Sequence, residues 1–216
     1  MKIQDAYTDW SATYDSDRNL TRDLDRMATE AALKGQTYRN VIEIGCGTGK
    51  NTALLTRISK RIVAIDFSPG MLQKAKSKIH SENVLFVAAD LTKTWPCKSD
   101  SVKLIVCNLV LEHIEDLATV FLQASQALNA GGLFFISELH PFRQYQGIQA
   151  VFRNKQNEVK IAAFVHHISE FTDSALQNGF LLRELREWWH EEDDRNKFPR
   201  LVTFMFEKSI PNQECL

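Results

Sequence analysis

Glu43-Ile44-Gly45-Cys46-Gly47-Thr48-Gly49 follows the β-branched run Val41-Ile42 and precedes a helix-prone stretch from Lys50 to Ser59. Glycines at that junction let the chain turn tightly and come close to a ligand outside the carboxyl end of a strand. Further runs repeat the alternation. Arg61–Ile65, Val84–Ala88, Val102–Asn108 and Leu133–Ser137 read as strands, with helices over Ser68–Ile79 and over 114–129. Ser68 is placed as N-cap with Pro69 at the first helical position. Strands alternating with helices of 10–15 residues require right-handed crossovers, and hence a mostly parallel sheet covered on both faces. Beyond residue 140, Ile148–Phe152 and Val159–Phe164 suggest a hairpin, and Ser169 a helix start. Phe180–Trp189 and Leu201–Phe206 read as two last strands, antiparallel because only HEEDDRNKFP and no crossover helix separates them. The expected fold class is α/β: Rossmann-like, doubly wound, with a mostly parallel seven-stranded sheet and one antiparallel strand near the edge. N-terminal helices and a hairpin insert are added to it. Asp23–Leu33 carries Leu24, Met27, Ala28 and Ala31 at helical spacing.

The bulk properties exclude several classes. With 216 residues, the chain is read as one domain over 1–216: a helical cap (1–35), a core (36–139) and a substrate-side part (140–216). The 26 Lys and Arg against 27 Asp and Glu give a net charge of −1, which disfavours a protein built to grip a nucleic-acid backbone. Apolar runs stop far short of the roughly 20 residues needed to span a bilayer, and MKIQDAYTDW offers no secretory leader. Four cysteines at wide spacing (46, 97, 107, 215) contain no CxxC, so reduced thiols and a cytoplasmic location are expected. No metal site is expected, since the acidic run Glu191-Glu192-Asp193-Asp194 lacks ligand spacing and reads as a solvated loop.

Three nucleotide-binding readings compete for the glycine turn. A P-loop fails because Ile44 stands where its first glycine belongs and Asn51 where Ser or Thr should follow Lys50. The dinucleotide fingerprint asks for a small residue at position 50, where Lys50 stands. An adenosine-bearing ligand without phosphate remains, and Glu43 is no liability beside it. Here the segment resembles the acid-x-Gly-x-Gly-x-Gly motif of class I S-adenosylmethionine-dependent methyltransferases, and the resemblance runs through residue 139. It implies that Glu43, Gly45, Cys46, Gly47 and Gly49 form the cofactor turn and that Asp66, 21 residues after Gly45, holds the ribose hydroxyls. Phe67 and Met71 would pack on the adenine, Asp90 and Leu91 would meet its edge, and Asn108, Leu109 and His113 would flank the methionine portion. Tyr7-x-x-Trp10-x-x-x-Tyr14-Asp15 resembles small-molecule members of quinone and biotin biosynthesis, in which Tyr14 would close over the cofactor; the same residues also fit an apolar helix stripe. His113 is open to a pocket role or a helix-capping one.

Topology places His140, and His190 behind Trp188-Trp189, at the carboxyl end of the sheet, so these two are the candidate bases; His166 and His167 are further candidates. The expected function is methyl transfer from S-adenosyl-L-methionine to a small-molecule acceptor by in-line displacement. The absence of an Asn-Pro-Pro-aromatic run after Asn108 argues against nucleobase amines. Two alternatives stay open: a methyltransferase acting on protein or RNA, and a non-catalytic S-adenosylmethionine-binding protein. The insert near 148–165 is read as a lid or an oligomer contact, in a monomer or homodimer.

Overall fold

The computed structural model describes residues 2–153 and 158–210; Cys215 lies outside them. Two helices lead, α1 (Ile3–Trp10) and α2 (Leu20–Ala32). The alternating part follows as β1 (Tyr38–Ile44), α3 (Thr52–Ile58), β2 (Ser59–Asp66), α4 (Pro69–Lys78), β3 (Val84–Ala88), β4 (Val102–Asn108), α5 (Leu117–Ala127) and β5 (Leu128–Leu139). Then come α6 (Pro141–Tyr145), the short strands β6 (Val151–Arg153) and β7 (Glu158–Lys160), α7 (Ile168–Gln177), β8 (Phe180–Trp188) and β9 (Leu201–Lys208).

Seven strands form one sheet in the order β3-β2-β1-β4-β5-β9-β8. The pairs among β1–β5 are parallel, while β9 runs antiparallel to both β5 and β8. The reversed strand is therefore second from one edge. The order turns back between β1 and β4, and the carboxyl ends of those strands flank the crevice where α/β sheets bind ligands. β6 and β7 form a separate antiparallel pair.

Burial on both faces explains the unbroken apolar runs of the central strands. Ile42 and Ile44 join Ile105, Phe134 and Ile136 in one layer, whereas Val41 joins Leu104, Val106 and Phe135 in the other. Phe121 of α5 meets Phe134, Phe180 and Phe206 edge-on at centroid distances of 5.4–5.9 Å, locking the helix onto the antiparallel end. Among the described residues, no helix is long and apolar enough to cross a membrane.

Local chemistry adjusts two expected boundaries and one buried helix face. The Asp116 carboxylate accepts from the amides of Ala118 and Thr119, so α5 starts at Leu117 rather than at 114. His167, not Ser169, is the N-cap of α7, and Glu170 Oε2 accepts from the His167 amide at 2.5 Å. On α2, Leu24 and Ala28 are buried as expected, but Met27 and Ala31 face outward and Asp25 and Thr29 turn inward. A polar contact beneath the helix, described below, selects that face.

Candidate cofactor site

Gly45 and Gly47 sit at the tip of β1 with φ of +71° and +53°, values L side chains rarely adopt. A methyl group on Gly45 would lie 2.0 Å from Val110 Cγ2, so the turn and the segment after β4 touch with no space for a side chain. Beside Gly47 there is open room. That room belongs to a cavity lined by Tyr7, Tyr14, Gly45, Gly47, Asp66, Phe67, Met71, Asp90, Leu91, Thr92, Asn108, Leu109, Val110, His113 and Ile114. Eleven of the fourteen residues expected to hold the cofactor line it: Tyr14, Gly45, Gly47, Asp66, Phe67, Met71, Asp90, Leu91, Asn108, Leu109 and His113. The other three stand behind the turn.

Those three support its shape. Glu43 Oε2 accepts from the Thr52 hydroxyl at 2.5 Å beneath the turn. Cys46 is buried, and its amide donates to the Ile65 carbonyl; burial pushes its thiol well above the ordinary range, which removes nucleophilic character. Gly49, at φ +85°, packs where an added Cβ would meet Ile79 Cδ1 at 2.6 Å. Lys50 reaches away from the cavity to the Asp23 carboxylate at 2.7 Å and the Arg22 carbonyl at 2.9 Å.

Asp66 ends β2 with its carboxylate almost wholly buried. Its Oδ2 accepts from the Gly47 amide and Oδ1 from the Ser68 amide, each at 2.8 Å. A carboxylate can accept more bonds than these, which suits it to the hydroxyls of a ribose. Burial raises its proton affinity and the backbone donors oppose that. Asp90, after β3, is fixed through Oδ1 by the Thr92 amide and hydroxyl. Among the described residues lining this cavity there are two carboxylates and no Lys or Arg. A phosphate would be repelled there, whereas a cationic ligand would be welcomed.

Polar groups that the sequence did not single out hold the far wall. Glu138 Oε1 accepts from the amides of Val110 and Leu111, both at 2.9 Å, tying β5 to the segment after β4. Between them and the strand, Leu109 adopts φ +56°, a strained value at the cavity wall. Asn108 Nδ2 donates to Asp25 Oδ1 at 2.7 Å and to Thr29 Oγ1 at 2.8 Å, and Asn51 Nδ2 donates to Asp25 Oδ2 at 2.9 Å. This contact turns the polar side of α2 inward.

One side of the cavity is covered by α1 and the turns after it. Tyr7, Trp10 and Tyr14 pack as an aromatic group, with Tyr7 stacked on Trp10 at 5.8 Å and Tyr14 edge-on to Trp10 at 4.7 Å. Asp15 accepts from the Thr48 hydroxyl at 2.6 Å and from Lys78 at 2.7 Å, which fastens this N-terminal segment to the glycine turn. Tyr7 and Tyr14 belong to the apolar stripe and also line the cavity. Burial pushes the Tyr14 hydroxyl to about 12 against the opposing Arg22 guanidinium, 4.0 Å over its ring.

The histidines are placed differently from expectation. His140 follows β5 at the expected end of the sheet, but it is fully buried and caps α6: Nδ1 accepts from the Phe142 amide, and Nε2 faces Glu187 Oε1 at 3.0 Å. Burial lowers its basicity despite Glu187. His190 is also buried, and its Nδ1 accepts from the Glu192 amide. Neither lines the cavity. His166 faces the Ile114 carbonyl at 2.8 Å, and His167 the Tyr145 hydroxyl at 2.6 Å. The imidazole that reaches the cavity is His113. Its Nδ1 lies 2.9 Å from the Ala162 carbonyl, which can only accept, so Nδ1 carries the proton and Nε2 accepts from the Tyr7 hydroxyl at 2.6 Å. The acidic run is not simply solvated either, because Asp193 pairs with Arg200 and Arg143 and Glu192 with Arg18.

Burial pushes Glu43 and Glu138 from an ordinary 4.5 up to about 8. A carboxyl that binds its proton more tightly when folded adds stability below about 4.5, and that contribution is lost as pH rises through about 8. Asp193, held at about 2 by its arginine partners against its own burial, stays ionised throughout this window. The urea midpoint should therefore be higher at pH 5.5 than at pH 8.5. Glu43→Gln, which mimics the protonated form, should flatten that slope; an unchanged slope would contradict the assignment.

The comparisons with known proteins agree with this geometry. Residues 42–136 match the family model described as a methyltransferase domain. The malonyl-[acyl-carrier protein] O-methyltransferase of Xylella fastidiosa is 33% identical over 143 residues, covering 64% of this chain and 48% of that protein. The ubiquinone biosynthesis O-methyltransferase of Xanthomonas campestris is 28% identical over 122 residues, covering 54% and 48%. The chain thus spans about half the length of the curated relatives it matches. An S-adenosylmethionine-dependent methyltransferase from Mesorhizobium loti superposes with a TM-score of 0.70 at 19% identity over 84% of this chain and 96% of that one. The N-methyltransferase NodS from Bradyrhizobium japonicum, solved with S-adenosyl-L-homocysteine, gives 0.72 at 18% identity over 96% and 99%. Residues 42–136 are thus similar to a methyltransferase domain, and the chain has the fold of solved S-adenosylmethionine-dependent methyltransferases.

Proposed function

We propose that the protein transfers a methyl group from S-adenosylmethionine to a small-molecule acceptor. One observation carries the reading: the cavity at the glycine turn combines a buried carboxylate suited to a ribose diol with a lining that holds no Lys or Arg among the described residues. A sulfonium cation with an uncharged adenosine suits that lining, while a pyrophosphate does not. Asp66 would hold the ribose, Phe67, Met71 and Leu91 the adenine, and Asn108 and Leu109 would lie toward the methionine part. When bound, the cofactor supplies an electrophilic methyl whose departure leaves a neutral thioether.

The protein's own contribution is mainly to align donor and acceptor, an effect worth roughly 7–11 kcal/mol in well-oriented reactions. Tyr7 lines both this cavity and a second one beside it, so it stands between the two. Its hydroxyl, kept protonated by burial, donates to His113 Nε2. For an acceptor that must shed a proton, the Tyr7 oxygen would take it while the tyrosine's own proton passes to His113 Nε2. Tyr7→Phe should lower kcat by about 10²-fold with little change in cofactor affinity, the scale of a positioned acid–base group; full activity would remove the pair from the mechanism.

The substrate class is tested by presenting methyl-labelled S-adenosylmethionine and the purified chain to a metabolite extract, to RNA and to protein. Label is expected in a small molecule. Label confined to macromolecules would overturn the proposal.

A further inference from the structure

A second cavity of about 320 Å³ adjoins the first, the two sharing Tyr7, Tyr14 and Leu109. That volume lies within the roughly 300–1,000 Å³ range of small-molecule sites. Its walls bring Trp10, Leu139 and Ile148 together with Arg22 and Arg200. If the cofactor occupies the first cavity as proposed, the acceptor enters through the second.

Among the described residues, the charges around Arg200 do not balance. Its Nε and one terminal nitrogen grip the Asp193 carboxylate, and the other terminal nitrogen donates to Thr21 Oγ1 at 3.3 Å. Arg143 draws on the same carboxylate at 3.3 Å. Two guanidinium charges thus share one carboxylate, leaving one positive charge in a group whose side chains are only 10–17% exposed. A guanidinium has five N–H donors, and the bonds from Arg200 use three. Arg22, also buried, donates to the carbonyls of Tyr14 and Asp17 rather than to a carboxylate. Among the described residues lining the cavity, Glu112 is the one acid, and burial raises its proton affinity. An uncompensated buried cation is costly, and a planar oxyanion with two acceptor oxygens offsets it best.

We propose that this second cavity is the acceptor site and that it takes a small molecule with an apolar, ring-sized body and one carboxylate, held by Arg200 and Thr21 at the end away from the methyl donor. The single excess charge matches a monoanion rather than a phosphate. The aromatic wall of Tyr7, Trp10 and Tyr14 supplies contact area for the body.

Benzoate, benzamide and phenyl phosphate serve as probes, titrated calorimetrically into the chain with and without saturating S-adenosylhomocysteine. Benzoate should bind at least tenfold more tightly than benzamide and more tightly than phenyl phosphate. Arg200→Gln should weaken benzoate at least tenfold, and Arg200→Lys, which keeps the charge but loses the planar fork, should weaken it too. Both variants should bind S-adenosylhomocysteine as the parent does, which reports an intact fold. Equal binding of benzoate and benzamide, preference for the phosphate, or benzoate affinity unmoved by Arg200→Gln would each overturn the carboxylate site. Failure of S-adenosylhomocysteine to bind the parent chain would instead count against the cofactor reading, and benzoate against the chain alone would still decide the carboxylate site.

Discussion

Asp66→Ala is expected to weaken S-adenosylmethionine binding by about 100-fold. The substitution removes acceptors for the Gly47 and Ser68 amides, so the turn loses its tie to β2 together with the proposed ribose contact. Hydrogen bonds to a charged group contribute about 1.5–3 kcal/mol each, and 100-fold in affinity corresponds to roughly 2.7 kcal/mol. Because Ala offers these amides no acceptor, some of the loss will come from a looser turn. Asp66→Asn, which keeps one acceptor oxygen, should therefore lose less, on the order of tenfold. Calorimetry on the three proteins checks the order. Parental affinity in Asp66→Ala would remove the residue from the site.

The largest effect on stability is expected at Asp25. Its carboxylate lies beneath α2 and accepts from Asn51 and Asn108, whose amide groups would be left without that partner in Asp25→Ala. Each orphaned buried donor costs about 1–3 kcal/mol. Burial already disfavours the Asp25 carboxylate, which returns part of that cost when it is removed. A net loss of about 3 kcal/mol follows, or a fall of roughly 6–12 °C in Tm for a chain of this size. Since Asn108 also lines the cofactor cavity, affinity should drop in the same variant. A change below about 0.5 kcal/mol in urea unfolding would show that the contact does not hold α2 in place.

The glycine turn was legible because its constraint is local. Positive φ at Gly45 and Gly47 needs glycine whatever surrounds it, and Asp66 follows at the end of the next strand. Apolar runs likewise exposed the central strands, which are covered on both faces. Asp25 and Glu138 were not legible, because their partners, Asn108 and the Val110 and Leu111 amides, are 83 and 27–28 residues away. On α2 the apolar stripe pointed to Met27 and Ala31, yet the contact with Asn108 and Asn51 turned Asp25 and Thr29 inward. His140 shows a different gap. Topology placed it correctly at the end of β5, but the following Pro141 already marked a helix start, and an N-cap there engages its Nδ1. For His113, the partners that orient its ring come from Tyr7 and Ala162, on either side of the core in sequence.

The central claim is that the cavity at the glycine turn is built for a cationic adenosine ligand without phosphate. Its most direct measurement is parallel calorimetric titration of S-adenosylmethionine, NAD and ATP into the same protein. The account predicts one S-adenosylmethionine bound per chain, with no measurable binding of NAD or ATP at matched concentrations. Binding of either phosphate-bearing ligand in place of S-adenosylmethionine would contradict it.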